Sequence, residues 1–203
     1  YYPMFNRPNV ELVTDGIKEL REHSIVTTDG VERPVDCVIL GTGFVVDPRV
    51  YMKNFPLEGR DGHVLNEDWK EIAQSYLGTT TTGFPNLYQL VGPNVGLGHN
   101  SIIFMIEAQV DYVLSCLKVL KEHGADYMDV KPEAQARFND KVQQGFKDTV
   151  WTTGCTSWYQ SAEGGNFALG PFSTWKFWLE TRKVEESEYD FGFARPPVLA
   201  KSR

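Results

Sequence analysis

Cysteine is scarce in this chain. Cys37, Cys116 and Cys155, three in 203 residues, stand far apart and are odd in number. That excludes a disulfide framework, and it also excludes the close pairs of a zinc site or a redox CxxC. The three read instead as buried small hydrophobes. No apolar run approaches the roughly 18 residues of a membrane-spanning helix. Clustered positive charge is missing too: the net charge is -7, whereas nucleic acid is held by grouped Lys and Arg, so no nucleic-acid partner is expected. Nor does any stretch read GxGxxG, the phosphate-cradling turn of a dinucleotide-binding unit. Tyr1 to Pro8 have neither a charged leader nor an apolar core, so they are no signal peptide. With no initiator Met, the start reads as that of a fragment or a processed piece, and cytoplasm is the default compartment.

What is present is ordinary for a globular protein: 41% hydrophobic and 23% charged residues, enough for a core of normal size. Asn9 to Val13 alternates and predicts a short strand. Asp29-Gly30, between the extended runs Ser24 to Thr28 and Val31 onward, predicts a hairpin. Val35 to Leu40 and Asn86 to Val91 are near-continuous β-type runs, as suits strands buried on both faces of a parallel sheet. Between them lies a loop-rich stretch with one short helix predicted over Glu67 to Gln74. The longest helix is predicted from Ser101, with an apolar face through Ile102, Ile106, Val110, Val113, Leu117 and Leu120, and it stops at Gly124. A second helix is expected from Pro132, with Phe138, Val142 and Phe146 on one face. An aromatic, Gly-rich segment follows Trp151, and Val184 to Arg203 read as a loosely packed or disordered tail.

Two places invite chemistry. The β-type runs end in glycine turns, Gly41-Thr42-Gly43-Phe44 and Gly92-Pro93-Asn94, and ligands of open α/β sheets bind beyond the carboxyl ends of strands. Turns of this kind also commonly do no more than end a strand. The helix that follows starts Ser101-Ile102-Ile103-Phe104-Met105-Ile106, apolar on every side, so its start is expected to be deeply buried. Its free N–H groups then need acceptors. Asn100 and Ser101 can cap one or two, and the remainder are met either by water or by a bound acceptor.

These residues, taken in order, resemble the class B flavoprotein monooxygenases of the Baeyer–Villiger type. Tyr1 to Val10 is similar to the stretch where that family's NADPH domain returns to its FAD domain. Asp36 to Phe44 resembles the family's D-x-(V/I)-(V/I)-x-A-T-G-(F/Y), with Gly41 where Ala is usual. Gly83-Phe84-Pro85-Asn86-Leu87 with Gly92-Pro93-Asn94, then Ile106-Glu107-Ala108-Gln109-Val110-Asp111-Tyr112, and last Gly154-Cys155 with Ser157-Trp158-Tyr159, Asn166 and Ser173-Thr174-Trp175, complete the set. Leu169-Gly170-Pro171-Phe172 departs from the family's L-W-P-G. The family's linker motif and its catalytic arginine have no counterpart in this sequence.

The resemblance implies an α/β chain that is part of a two-dinucleotide-binding-domain flavoprotein. Residues 1–34 would be the return segment of the NADPH domain, 35–183 the C-terminal part of the FAD-binding domain with its helical and aromatic end, and 184–203 the tail. It implies FAD, NADPH and O2, with a flavin peroxide inserting one oxygen atom beside a ketone. By the same carry-over Gly41, Thr42, Gly43, Phe44, Gly92, Pro93, Asn94, Ser101 and Ile102 meet the FAD, while Gly98, His99, Asn100 and Trp158 line the substrate side. No metal site and no catalytic residue of this chain are implied. Two alternatives stay open: an N- or S-oxygenating flavin monooxygenase, and a non-catalytic remnant that folds without cofactor. A flavin disulfide reductase is excluded by the missing CxxC.

Because the glycine-rich pyrophosphate loops are absent from the sequence, the isolated chain should bind FAD weakly. In a titration followed by flavin fluorescence, saturable stoichiometric binding in the submicromolar range would contradict this.

Overall fold

The computed structural model describes residues 1–154, 157–161 and 164–194. The chain divides into two compact units, Tyr1–Phe44 and Val45–Arg203.

The first unit is a small antiparallel meander of β1 (Ile17–Leu20), β2 (Ser24–Thr27) and β3 (Glu32–Pro34). The Asp29-Gly30 hairpin forms as expected. Gly30 takes φ +86°, and the Asp29 carboxylate accepts from the Thr27 hydroxyl at 2.5 Å and from the Val31 N–H at 3.1 Å. The hydroxyl bond is the leading cause that holds the Asp29 carboxyl below its ordinary pKa. Asn9 to Val13, predicted as a strand, is irregular.

The second unit holds the main core. In chain order it comprises α1 (Pro48–Tyr51), α2 (Leu65–Asp68), α3 (Ile102–Glu122), β4 (Tyr127–Val130), α4 (Pro132–Gly145), α5 (Thr174–Thr181) and β5 (Tyr189–Gly192). Helix α3 has its N-cap at Ser101, and the chain turns left-handed at Gly124, φ +61°. Helix α4 starts on Pro132 and buries Phe138, Val142 and Phe146, as the four-residue spacing predicts. These side chains pack with Tyr112 and Cys116 of α3 and with Met128, Val130, Val184 and Tyr189. A hydroxyl chain crosses this core: Tyr112 and Tyr189 meet at 2.8 Å, and Tyr189 meets Thr80 at 3.1 Å. Burial raises the pKa of both tyrosines far above the ordinary value, so they stay neutral.

Several expectations are corrected. Neither Val35–Leu40 nor Asn86–Val91 forms a strand, and both sheets are antiparallel. A strand of a parallel sheet needs a hydrogen-bonded neighbour and a layer on each face. Val35 alone has a backbone bond, its N–H donating to the His23 carbonyl at 2.9 Å; Asp36–Leu40 have no strand partner among the described residues, and Ile39 is 92% exposed. Asn86 and Val91 take φ +60° and +57°, which breaks the extended run. The only parallel pairing among the described residues is a single bridge, Gly96 to Leu169.

Helix α2 is shorter than expected and earlier. The buried stripe of α3 is Met105, Ala108, Gln109, Tyr112 and Cys116, not the face read from the sequence. Ile103, Val110, Leu114 and Leu117 are all exposed, so apolar residues surround the helix and their periodicity does not select one side. The tail expectation fails for Val184 to Gly192: Val184 and Tyr189 are buried and β5 pairs antiparallel with β4. Residues 195–203 lie outside the described residues. No described helix is long and apolar enough to cross a membrane.

Cys116 is buried as expected, whereas Cys37 is exposed; Cys155 lies outside the described residues. Burial pushes the Cys116 thiol up to about 12, and thiolate is the reactive form. Iodoacetamide at mildly alkaline pH should therefore alkylate Cys37 and spare Cys116 in the native protein, and label both in denaturant. Peptide mass spectrometry checks this, and rapid native labelling of Cys116 would contradict the packing.

Candidate functional site

The second unit contains a cavity of about 510 Å3, within the usual size range of small-molecule sites. Its walls come from four places: Val46, Pro48 and Met52 around α1; Gln89 to Pro93; Gly96, Leu97 and Ile102 leading into α3; and Tyr159 with Phe167 to Leu169. No charged side chain is among them.

Each wall has a local cause. Helix α1 is started by Pro48 and capped by the Asp47 carboxylate, which accepts from the Arg49 N–H at 2.9 Å. The Arg49 guanidinium holds the same carboxylate and donates to the carbonyls of Lys70 and Glu71 at 2.9 and 2.7 Å, anchoring α1 to the following loop. That brings Met52 against Leu65, Trp69 and Phe167.

The wall from Gln89 to Pro93 is irregular backbone held by a buried amide. Gln109 of α3 accepts from the Val91 N–H at 2.8 Å and donates to the Gly78 carbonyl at 2.8 Å and the Thr79 hydroxyl at 2.9 Å. The Gly92 N–H donates to the Gly78 carbonyl at 3.1 Å, and the Gln89 N–H to the Thr79 carbonyl at 2.8 Å. The fit is tight: a Cβ on Gly92 would stand 2.4 Å from the Gly78 carbonyl oxygen, and one on Gly78 would stand 1.8 Å from the Val95 side chain. Val91 holds φ +57°, a left-handed conformation that costs a residue other than Gly roughly 1–2 kcal/mol. Such strain persists only where surroundings enforce it.

The opposite wall is fixed by Asn94. Its amide donates to the carbonyls of Asn166 and Leu169 at 2.6 and 3.1 Å, while its N–H meets the Phe167 carbonyl at 2.9 Å. Asn166 in turn accepts from the N–H groups of Ala168 and Leu169 at 3.1 and 2.8 Å, and Gln143 of α4 bonds its backbone on both sides, at 2.9 and 3.1 Å.

At the head of α3 the caps are those expected. Ser101 accepts from the Phe104 N–H at 3.4 Å, and Asn100 accepts from the Ser101 N–H at 2.8 Å while donating to Thr174 of α5 at 3.0 Å. The N–H groups of Ile102 and Ile103 have no acceptor among the described residues. Only one side of this helix start is buried: Met105 is inside, but Ile103 is 59% exposed, which corrects the expectation of burial on every side.

Of the residues singled out in the sequence, Gly92, Pro93 and Ile102 meet in this cavity. Asn94 is buried beside it with its amide turned into the protein. Gly98, His99, Asn100, Ser101 and Trp158 are not among its lining residues; His99 and Trp158 are exposed. Gly41 to Phe44 end the first unit and are exposed, while the cavity is built by the second unit alone. Sequence reasoning missed Gln109, Thr79 and Met52. A polar residue one turn from Met105 and from Tyr112 on the buried stripe would have flagged Gln109, had that stripe been identified.

No protein-family model matches the chain. It is 41% identical over 191 residues to a Baeyer–Villiger monooxygenase of Pseudomonas aeruginosa, covering 93% of this chain and 36% of that protein. Its fold matches a cyclohexanone monooxygenase from Rhodococcus sp. Phi1 bound to NADP+ with a TM-score of 0.76 at 25% identity, over 96% of this chain and 38% of that one. A cyclohexanone-bound cyclohexanone monooxygenase matches with a TM-score of 0.72 at 26% identity, over 95% and 36% of the two chains. The chain is thus related to the flavoprotein monooxygenases. Within that class its relatives are Baeyer–Villiger monooxygenases, and it spans little more than a third of their length.

The Asn94 brace can be weighed by substitution, because Asn94 holds φ +64°. Asn94→Gly keeps the backbone conformation and loses two side-chain hydrogen bonds, worth about 0.5–1.5 kcal/mol each. Asn94→Ala loses the same bonds and adds left-handed strain. After the greater chain entropy of Gly is subtracted, Asn94→Ala should be less stable by up to about 1 kcal/mol. Urea denaturation measures the order, and an Ala variant as stable as the Gly variant would contradict the assigned backbone.

Proposed function

We propose that this chain is the C-terminal part of an FAD- and NADPH-dependent Baeyer–Villiger monooxygenase, which places one atom of O2 beside the carbonyl of a ketone and releases the other as water. On this reading residues 1–34 return from the NADPH domain and residues 35–183 form the C-terminal part of the FAD-binding domain. The observation that carries the proposal is the uncharged cavity with Ile102, whose N–H has no acceptor among the described residues, in its wall. Its relatives' activity and the NADP+ and cyclohexanone bound by its structural neighbours support it.

The residues present fit one end of FAD. A flat, mostly apolar ring system suits walls of Leu90, Leu97, Met52 and the Gly92-Pro93 backbone. The Ile102 N–H has no acceptor among the described residues, and a pyrimidine carbonyl supplies one. The pyrophosphate end does not fit, since no GxGxxG phosphate-binding turn occurs in the sequence and no charged side chain lines the cavity. When bound, FAD supplies the activation of O2. The chain's own part is to hold the ring, exclude water with Leu90, Leu97 and Phe167, and aim the positive end of the α3 dipole at charge on the pyrimidine. Gly41 to Phe44 are assigned to the FAD as well, and Gly98, His99, Asn100 and Trp158 to the substrate side.

Ile102→Asp would put a fixed negative charge at this helix start. A protein of the relatives' length carrying it should fold with FAD yet be reduced by NADPH about tenfold more slowly, equivalent to about 1.4 kcal/mol and within the ~2 kcal/mol reach of a partly buried helix dipole. Ile102→Leu should behave as wild type. Stopped-flow reduction decides: an unaltered rate in a flavin-loaded Ile102→Asp protein removes α3 from the flavin site.

A further inference from the structure

We infer that Gln109 is the positioning residue of this cavity: its buried amide sets the Val91-Gly92-Pro93 wall at a fixed distance from the start of α3. This rests on the flavin reading given above. Gln109 is fully buried and is not itself a wall residue. Its amide oxygen takes the Val91 N–H, and its amide nitrogen binds Gly78 and Thr79, so one turn of α3 grips two segments at once. Gly92 is in backbone contact with Gly78, so a shift of Gly78 moves the wall directly.

Neither gripped segment has a regular ladder to hold it. Leu77 and Val91 both sit at positive φ, a conformation that their side chains disfavour. Another wall of the cavity includes Ile102, on the same helix and two turns before Gln109. Helix α3 therefore presents its free N–H at one wall and, through Gln109, fixes the other. Gln109 is the side chain that ties this wall to α3 itself. A flat ring held between two walls is sensitive to the gap between them, so Gln109 acts on the bound group without touching it.

The test uses a protein of the relatives' length, with flavin-loaded wild type as reference. Gln109→Met is close in size and offers neither donor nor acceptor of comparable strength. Tyr112→Phe is the control: equally buried on the same helix, its hydroxyl bonds Tyr189 rather than the cavity loops. With circular dichroism showing folded protein, Gln109→Met should raise the FAD dissociation constant at least tenfold and alter the shape of the visible flavin bands. Tyr112→Phe should change neither.

Gln109→Glu supplies a conservative rescue. Its carboxyl keeps the acceptor for Val91 but can donate to Gly78 only when protonated. Burial and facing carbonyls raise its pKa in the folded state, so the bond is present at low pH and lost as pH rises through that pKa. FAD affinity should follow, near wild type at low pH and falling as pH rises. None of the wild-type partners of Gln109 titrates, and Tyr112, one turn along, stays protonated, so wild type is the flat reference.

A folded Gln109→Met protein with wild-type affinity and spectrum overturns the inference, as does an equal loss in Tyr112→Phe. If Gln109→Met does not fold, the Gln109→Glu series decides, and either a flat profile or failure to fold at every pH overturns it. Failure of the underlying flavin reading looks different: Ile102→Asp then leaves the reduction rate of the flavin-loaded protein unaltered.

Discussion

The Gln109 amide is the constraint on which the cavity rests. It sits with no exposure to solvent, and a buried amide left unpaired costs about 1–3 kcal/mol for each unmet group. That penalty makes the grip on Val91, Gly78 and Thr79 obligatory once α3 packs against the core. The same grip compensates the strain at Val91. Irregular backbone of this kind is otherwise hard to keep inside a protein, because its N–H and C=O groups need partners that no ladder supplies. The loop wall is therefore held by side-chain hydrogen bonds rather than by secondary structure.

A second set of amides completes the frame from the other side. Asn94, Asn166 and Gln143 link the cavity rim to α4, while the hydroxyls of Tyr112, Tyr189 and Thr80 join α3 to β5 through the core, away from the cavity lining. The apolar core around Phe138, Val142 and Cys116 supplies non-directional burial free energy, and these polar links fix geometry. The division of labour explains why the cavity wall can be uncharged and still well defined. Glycine matters at two contacts in particular, Gly78 and Gly92, where a Cβ would collide with the facing chain.

Much of the helical part was legible from local signals. Ser101 before an apolar run, Gly124 after it, and Pro132 opening the next helix are features whose physics acts within a few residues, and each holds in the structure. The Asp29-Gly30 hairpin is local in the same sense. The family resemblance was also legible, because Ile106-Glu107-Ala108-Gln109-Val110 and its companion motifs preserve spacing. That Val35–Leu40 and Asn86–Val91 form no strands was not legible: hydrophobicity marks a segment as β-like, but pairing requires partners, and pairing is a property of the assembled sheet.

The sequence by itself determined where α3 starts and stops, where α4 starts, and which family the chain resembles, since these follow from caps, turn residues and motif spacing carried by neighbours along the chain. Only the tertiary structure decided which side of α3 faces inward, that Gly92, Pro93 and Ile102 share a cavity while Asn94 turns away from it, and that Gln109 governs the wall. The physical reason is the same in each case. A helix with apolar residues on all sides has no preferred face until something packs on it, and an amide acquires a role only from the groups that folding brings within hydrogen-bond distance.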